Sequence, residues 1–367
     1  MTMGVFTKIF STGVLLASVL AISVSCGPRD RYVTISGFAQ GSTYSVKLNM
    51  NGSKGMIGIK PEVIKDSIDS ILGKIDRSIS GYNRNSLLSR FNAGETIIAD
   101  SIFVEMSGHG LRFYQETGGA VDVAAAPLFD MWGFGFRNGE FPSEDIVHKT
   151  RKQCGMGRLR PDILTNMEPG DSLNGITLLL CEKGKVTGVP ALPQLNYNAI
   201  AQGYSCDLVA GYLYSIGAKD FMVDIGEIFC DGLNPSGQPW SIGIDRPVDG
   251  NNAPGADIQG IFRVPEGPHG IVTSGNYRKF YVRDGKKYAH TINPLTGMPV
   301  IHSLLSATIV APDAMTADAY ATYCMVIGLE ESQRFIESRD DLEGCLIFDD
   351  NGIFRVWCSA GFVLESL

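Results

Sequence analysis

The chain has 367 residues, enough for one large domain or two modest ones with ample core. Hydrophobic residues make up 44% and charged residues 19%, an ordinary globular balance with no low-complexity tract. A formal net charge of −8 disfavours sequence-independent binding to nucleic acid, which needs clustered Lys and Arg. It does not exclude a small anionic ligand, because a metal ion or a helix N-terminus supplies positive charge locally.

Lys8 precedes a mostly apolar run at 9–24 that ends at Ser25-Cys26. The run is too short and too early for a membrane span, and its cationic start and apolar centre read as a signal peptide. Ser23 and Ser25 before Cys26 resemble a lipobox, in which the cysteine is lipidated and becomes the mature N-terminus; Ser23 stands where leucine is usual. An ordinary signal peptide or an uncleaved anchor is the alternative, and either also exports the domain. The expectation is a signal peptide at 1–25, a tether at 26–33 and one domain at 34–367. The product is then lipid-anchored on the periplasmic side of a bacterial membrane. Cys154, Cys181, Cys206, Cys230, Cys324, Cys345 and Cys358 show no CxxC and no metal-like spacing, and several lie in apolar runs, so buried free thiols are expected and zinc is not.

Residues 32–39 and 43–50 read as two strands joined around Gly41-Ser42. Ile64, Ile68, Ile71, Leu72, Ile75 and Ile79 form the stripe of an amphipathic helix over 60–80. Asp100 is placed to cap a helix that runs to about 116, and residues 201–216 form another, closed by Gly217. Strands follow at 220–230 and 240–245, then a hairpin of 279–283 and 286–292 around Asp284-Gly285. Helices at 315–327 and 331–338 precede a last hairpin of 343–348 and 353–358 around Asp350-Asn351-Gly352. Helices and strands come in blocks, which favours an α+β fold in one large domain over a doubly wound sheet.

Three segments carry candidate chemistry. Asp318 and Thr322 are four apart on a predicted helix, so a carboxylate and a hydroxyl share one face and suit a hard cation such as Mg²⁺. Their neighbours Ala317, Ala319 and Ala321 fit close helix packing equally well. Val272 to Arg278 offers hydroxyls and amides for a phosphate or a turn. It leads to His290, a strand-end histidine that is either a general base or a structural residue. Thr117 to Gly135 joins glycines that let backbone approach a flat ligand, Asp122 as an acceptor, and Trp132 and Phe134 as stacking or core aromatics.

These segments stand in the order found in a known family. The chain resembles the FAD:protein FMN transferases, the ApbE-type flavin transferases, from about 36 to about 348. Six blocks match: Gly41-Ser42-Thr43-Tyr44, residues 80–92, 117–135, 196–207, Val272 to Arg278 with His290 to Gly297, and 317–322. The resemblance implies an ApbE-like, T-fold-related architecture with mixed or antiparallel sheets and packed helices. It implies that Asp318, Thr322 and the carbonyl of Ala199 bind Mg²⁺, and that Gln40, Tyr82, Ala120, Val121, Asp122, Asn196, Gln202 and Ile292 contact FAD. His290 matches the residue that activates the acceptor hydroxyl. The implied reaction is attack of a threonine hydroxyl on the FMN phosphorus of FAD, with AMP leaving. This chain lacks the acceptor pattern of flavinylated proteins, so the threonine belongs to another protein, by analogy a membrane-bound redox subunit.

Departures from the family pattern concern charge. Asn196 replaces an aspartate, Gln202 a lysine and Asn293 an aspartate, and Ala321 offers no second carboxylate beside the metal helix. An FAD pyrophosphatase that uses water in place of threonine, and a non-catalytic flavin-binding lipoprotein, are the competing readings.

Overall fold

A computed structural model describes residues 32–51, 56, 58–135, 141–152, 154–158, 168–171, 194–251, 253, 255–277, 280–283 and 286–366. The expected signal peptide, Cys26 and the Asp284-Gly285 turn lie outside them. Strands β1 (Tyr32–Ala39) and β2 (Ser42–Asn49) pair antiparallel, with Ala39 opposite Ser42. Gln40 and Gly41 form the connection, both at positive φ (52° and 79°), as a two-residue turn between right-twisted strands requires. The turn therefore lies one residue earlier than the sequence suggested.

Helix α1 (Pro61–Ile79) starts on a proline and buries Ile64, Ile68, Leu72, Ile75 and Ile79 along one stripe. Helices α2 (Leu87–Asn92) and α3 (Ser101–Glu116) follow, the latter capped by the Asp100 carboxylate, which accepts from the Phe103 amide at 2.8 Å. Then come α4 (Ala126–Met131), α5 (Glu144–Arg151) and α6 (Ala201–Ser215). The single strand expected at 220–230 is a hairpin of β3 (Phe221–Asp224) and β4 (Ile228–Asp231), because Asp224 accepts from the Gly226 amide at 3.0 Å and turns the chain. Strands β5 (Ser241–Asp245), β6 (Ile258–Arg263), β7 (His269–Gly275), β8 (Phe280–Arg283), β9 (Lys286–Ala289), β10 (Ile292–Asn293), β11 (Met298–Pro299) and β12 (Leu304–Ala311) come next. Helices α7 (Ala314–Ile327) and α8 (Leu329–Glu337), then β13 (Glu343–Asp350), β14 (Ile353–Cys358) and β15 (Leu364–Glu365), close the chain.

Eight strands form one sheet in the order β1-β2-β3-β4-β7-β12-β13-β14, every neighbour antiparallel. Period-two alternation sends its side chains into two cores. Leu48, Val223, Val272, Ile309 and Leu346 join the core shared with α1, α3, α6 and α7. Cys230, Ile271, Val310, Cys345 and Ile347 enter a second core, under the three-stranded sheet β15-β6-β5. Strand β12 is buried on both faces, so its apolar residues do not alternate with exposed polar ones, and Ser306 and Thr308 are buried with them. A third cluster joins Leu128, Trp132, Val147 and Ile292. Among the described residues no helix is long and apolar enough to cross a membrane.

Helix α7 is buried on almost all sides, against β7, β12 and α6. A Cβ on Gly270 of β7 would lie 2.4 Å from the Ala314 backbone, and one on Gly203 of α6 would lie 2.3 Å from the Ala314 carbonyl oxygen. The first turn of α7 is thus wedged between two glycines. Gly270→Ala is expected to destabilise the fold by about 3 kcal/mol through this overpacking. Chemical denaturation checks it, and an unchanged midpoint would show that α7 can shift to make room.

Candidate functional site

The site is assembled where α6 and α7 begin. Asp207, on the second turn of α6, spans the N-terminus of α7: its two carboxylate oxygens accept from the amides of Ala314 (2.8 Å) and Met315 (2.9 Å). Asp313 completes the cap by accepting from the amide of Thr316 at 2.7 Å and from its hydroxyl at 2.9 Å. In return, one oxygen of Asp318 on α7 accepts from the Gly203 amide at 3.1 Å. Two acidic residues thereby lock the helices together in opposite directions.

Both carboxylates pay in solvation. Burial pushes Asp207 up to about 7, against the two amides, which favour the ionised form. Burial also holds Asp318 well above the usual carboxylate range, with the nearby charge of Asp207 adding to the rise and the Gly203 amide opposing it. Thr322 lies one helical turn beyond Asp318 on the same face, and Ala199 lies just before α6. These three groups offer hard oxygen donors.

The 194–200 segment reaches this point under tight control. The Asn92 side chain donates to the Leu195 carbonyl at 2.8 Å and accepts from its amide at 2.7 Å, pairing with the backbone as a strand would. The Asn196 amide donates to Val123 at 2.7 Å, and the Asn196 side chain accepts from the Asn198 amide at 2.9 Å. Asn198 in turn donates to the Tyr82 hydroxyl at 3.4 Å; Tyr82 itself is 68% exposed, on the loop between α1 and α2. Gln202 donates to the Ile225 carbonyl at 3.0 Å. From the first hairpin, Gln40 donates to the Ser205 hydroxyl at 2.5 Å; its left-handed backbone, uncommon for a residue with a side chain, aims it at α6.

The three departures in charge keep their local geometry. The carbonyl oxygens of Asn196 and Asn293 each accept the amide two residues on, at 2.9 Å and 2.8 Å, as aspartates would. Gln202 donates to a carbonyl, which the ammonium of a lysine also does. The charge is removed and the turns remain.

The remaining candidates come from the flank. Ala120 and Val121 are buried at the start of a turn in which the Val121 amide donates to the Thr117 hydroxyl at 3.0 Å. Asp122 is not free to receive a ligand with all its acceptor sites: its carboxylate accepts from the amides of Ala124 (2.9 Å) and Met156 (3.0 Å). Its role in the structure is to hold the two backbone segments together. Ile292 is buried beside Trp132, whose indole donates to the Gly297 carbonyl at 2.8 Å and fixes the loop after β10. His290 is part-buried, with its ring edge-on to Phe134 at 6.4 Å between centroids.

Asn92, Gly203 and Asp207 also build the site and were not singled out in the sequence. Asn92 and Asp207 lie in matching blocks, but nothing in their spacing shows that one braces a loop and the other caps a helix from a distance.

Desolvation pushes Asp122 from 3.8 up to about 6, partly offset by its two amides. A raised carboxyl pKa costs nothing below about pH 4, and the full cost is present above about pH 6. Asp122→Asn keeps an acceptor without the charge, so its stability relative to the parent should rise over that window by ~3 kcal/mol and then level off. Melting curves across pH check this; a pH-independent difference would show that the carboxylate is better solvated than its surroundings imply.

Residues 40–346 match the family model described as the ApbE family. An FAD:protein FMN transferase of Haemophilus influenzae is 31% identical over 356 residues, covering 94% of this chain and 95% of its own. The protein of the same name from Vibrio cholerae is 32% identical, covering 95% of this chain and 97% of its own. Among solved structures, the flavin transferase ApbE of Vibrio cholerae superposes with a TM-score of 0.72 at 29% identity, over 90% of this chain and 98% of its own. The flavinyl transferase ApbE of Pseudomonas stutzeri, in its apo form, gives 0.73 at 29% identity, over 90% of this chain and 96% of its own. The α+β single domain derived from the sequence is therefore the fold of these enzymes, and the chain belongs to the ApbE family.

Proposed function

We propose that this protein is an FAD:protein FMN transferase, which moves the FMN half of FAD onto a threonine hydroxyl of a separate acceptor protein. The observation that carries the reading is the interlocked start of α6 and α7, where buried Asp318 faces the 199–203 segment within a chain matched over its length to flavin transferases. In the proposed reaction the threonine oxygen attacks the FMN phosphorus, and a new P–O bond forms. The pyrophosphate bond breaks, AMP leaves with the electron pair, and the hydroxyl proton passes to the His290 ring.

The donor set fits Mg²⁺. Among the described residues no cluster of three or more His, Cys, Asp or Glu side chains could hold a metal. A cation here would be held by Asp318, Thr322 and the Ala199 carbonyl, leaving places for water and phosphate oxygens, the mixed shell that Mg²⁺ favours. When bound, it would offset pyrophosphate charge and polarise the bond to be broken. Asp318, costly to ionise where it lies, gains most from such a partner. In this reading Gln40, Tyr82, the Ala120-Val121-Asp122 turn, Asn196, Gln202 and Ile292 would contact FAD, as the family pattern implies.

The setting is part of the proposal. Lipidation at Cys26 would tether the enzyme to the outer face of a bacterial membrane, with the acceptor a redox subunit that displays its threonine on that side.

Incubation of the purified protein with FAD, Mg²⁺ and a candidate acceptor should add an FMN mass to the acceptor. Free FMN and AMP with an unmodified acceptor would instead identify a pyrophosphatase, and intact FAD a binding protein. Asp318→Ala should abolish metal-dependent turnover, about 10³-fold or more, as followed by AMP release; unchanged release would remove it from the site. His290→Ala should slow transfer about 10²–10⁴-fold with FAD affinity retained in a fluorescence titration, whereas lost affinity would make it a binding residue.

A further inference from the structure

The second core holds a pair of cysteines that flavin chemistry does not use. Cys345 of β13 and Cys358 of β14 are direct cross-strand partners, and both side chains pack against that core, Cys345 buried and Cys358 part-buried. The hydrogen-bond phase of β13 defines the kind of pair. The Asp349 amide points to β12, donating to Ser303 at 2.9 Å, so the odd-numbered backbone groups of β13 face β12. The Gly344 carbonyl points the other way and accepts from the Ser359 amide at 2.9 Å. Cys345 and Cys358 therefore form a non-hydrogen-bonded pair, the closer type, with Cα atoms typically about 4.5 Å apart. Disulfides span Cα separations of about 4.4–6.8 Å.

The thiols differ in reactivity. They share a hydrogen bond, which holds Cys345 above and Cys358 below the ordinary thiol range; burial raises Cys345 further. The more accessible sulfur is thus the better nucleophile and the buried one its proton donor. Among the described residues β14 is the last strand of the sheet and pairs with β13 alone, with Ile353, Phe354 and Val356 exposed.

We propose that Cys345 and Cys358 are a redox-active dithiol that oxidises to a cross-strand disulfide and fastens edge strand β14 to the sheet. The Cys358 thiolate attacks one sulfur of a small disulfide oxidant, forming a mixed disulfide and expelling one thiolate. Cys345 gives up its proton and attacks the Cys358 sulfur, and the second thiolate leaves. The protein loses two hydrogens and the oxidant becomes two thiols. This step is independent of the flavin site.

The test treats the full-length protein, first reduced and freed of reductant, with oxidised glutathione under native conditions. Remaining thiols are then blocked and the peptides mapped. The expected product is a dithiothreitol-reversible link between the Cys345 and Cys358 peptides, with slowed amide hydrogen exchange over 353–357. Cys345→Ser should accumulate glutathione on Cys358, and Cys358→Ser should leave Cys345 unmodified. A stable glutathione adduct on Cys358 in the parent chain, a link from Cys358 to another cysteine, or no reaction would overturn the proposal. Linkage that leaves exchange in β14 unchanged would overturn the fastening.

Discussion

The close approach of two helices at Ala314 is the constraint on which the rest of the site depends. Gly203 and Gly270 leave no Cβ where α7 begins, and only then can the Gly203 amide reach Asp318 and Asp207 reach the amides of Ala314 and Met315. A side chain at Gly203 would push α7 off α6, and one at Gly270 would push it off β7, so the start of α7 holds its place only between two glycines. Packing and polar satisfaction are here the same fact. A buried carboxylate is tolerable only with donors at hydrogen-bond distance, and the donors are backbone amides that small residues bring within reach.

This arrangement also sets the electrostatic character of the site. Asp207 answers to helix α7 and is fully engaged by it, while Asp318 is only partly satisfied. Burial, with the nearby charge of Asp207 added to it, disfavours ionisation of Asp318, so positive charge brought to Asp318 would offset that cost. The neutral residues at 196, 202 and 293 fit this picture. They retain the local turns and the contact to the Ile225 carbonyl without adding charge to the region.

Much of the fold was legible in local patterns. The isoleucine stripe of α1, the Asp100 cap and the Asn351-Gly352 turn, with φ of 53° and 86°, follow from periodicity and turn chemistry within a few residues. β12 was not foreseen, because a strand buried on both faces loses the alternation that marks a strand. Asp224 divided one expected strand into two through a turn contact that composition does not reveal. For the site, residue types and order pointed to Asp318, Thr322 and His290, but the roles of Asn92 and Asp207 rest on contacts across 103 and 107 positions of sequence. Asp122 shows the opposite case: a residue that looks like a ligand acceptor is largely occupied in holding its own loop.

The first hairpin has a geometric consequence for reach. Gln40 sits at its tip against Ser205, while Tyr32 lies at the far end of an eight-residue strand, donating to the Leu233 carbonyl. At about 3.4 Å per residue the two ends are roughly 27 Å apart. Whatever segment leads into Tyr32 thus joins the body a full strand length from the site. A pull or an attachment there acts on the end of β1 remote from the packed start of α6, which Gln40 touches at the other end of the strand.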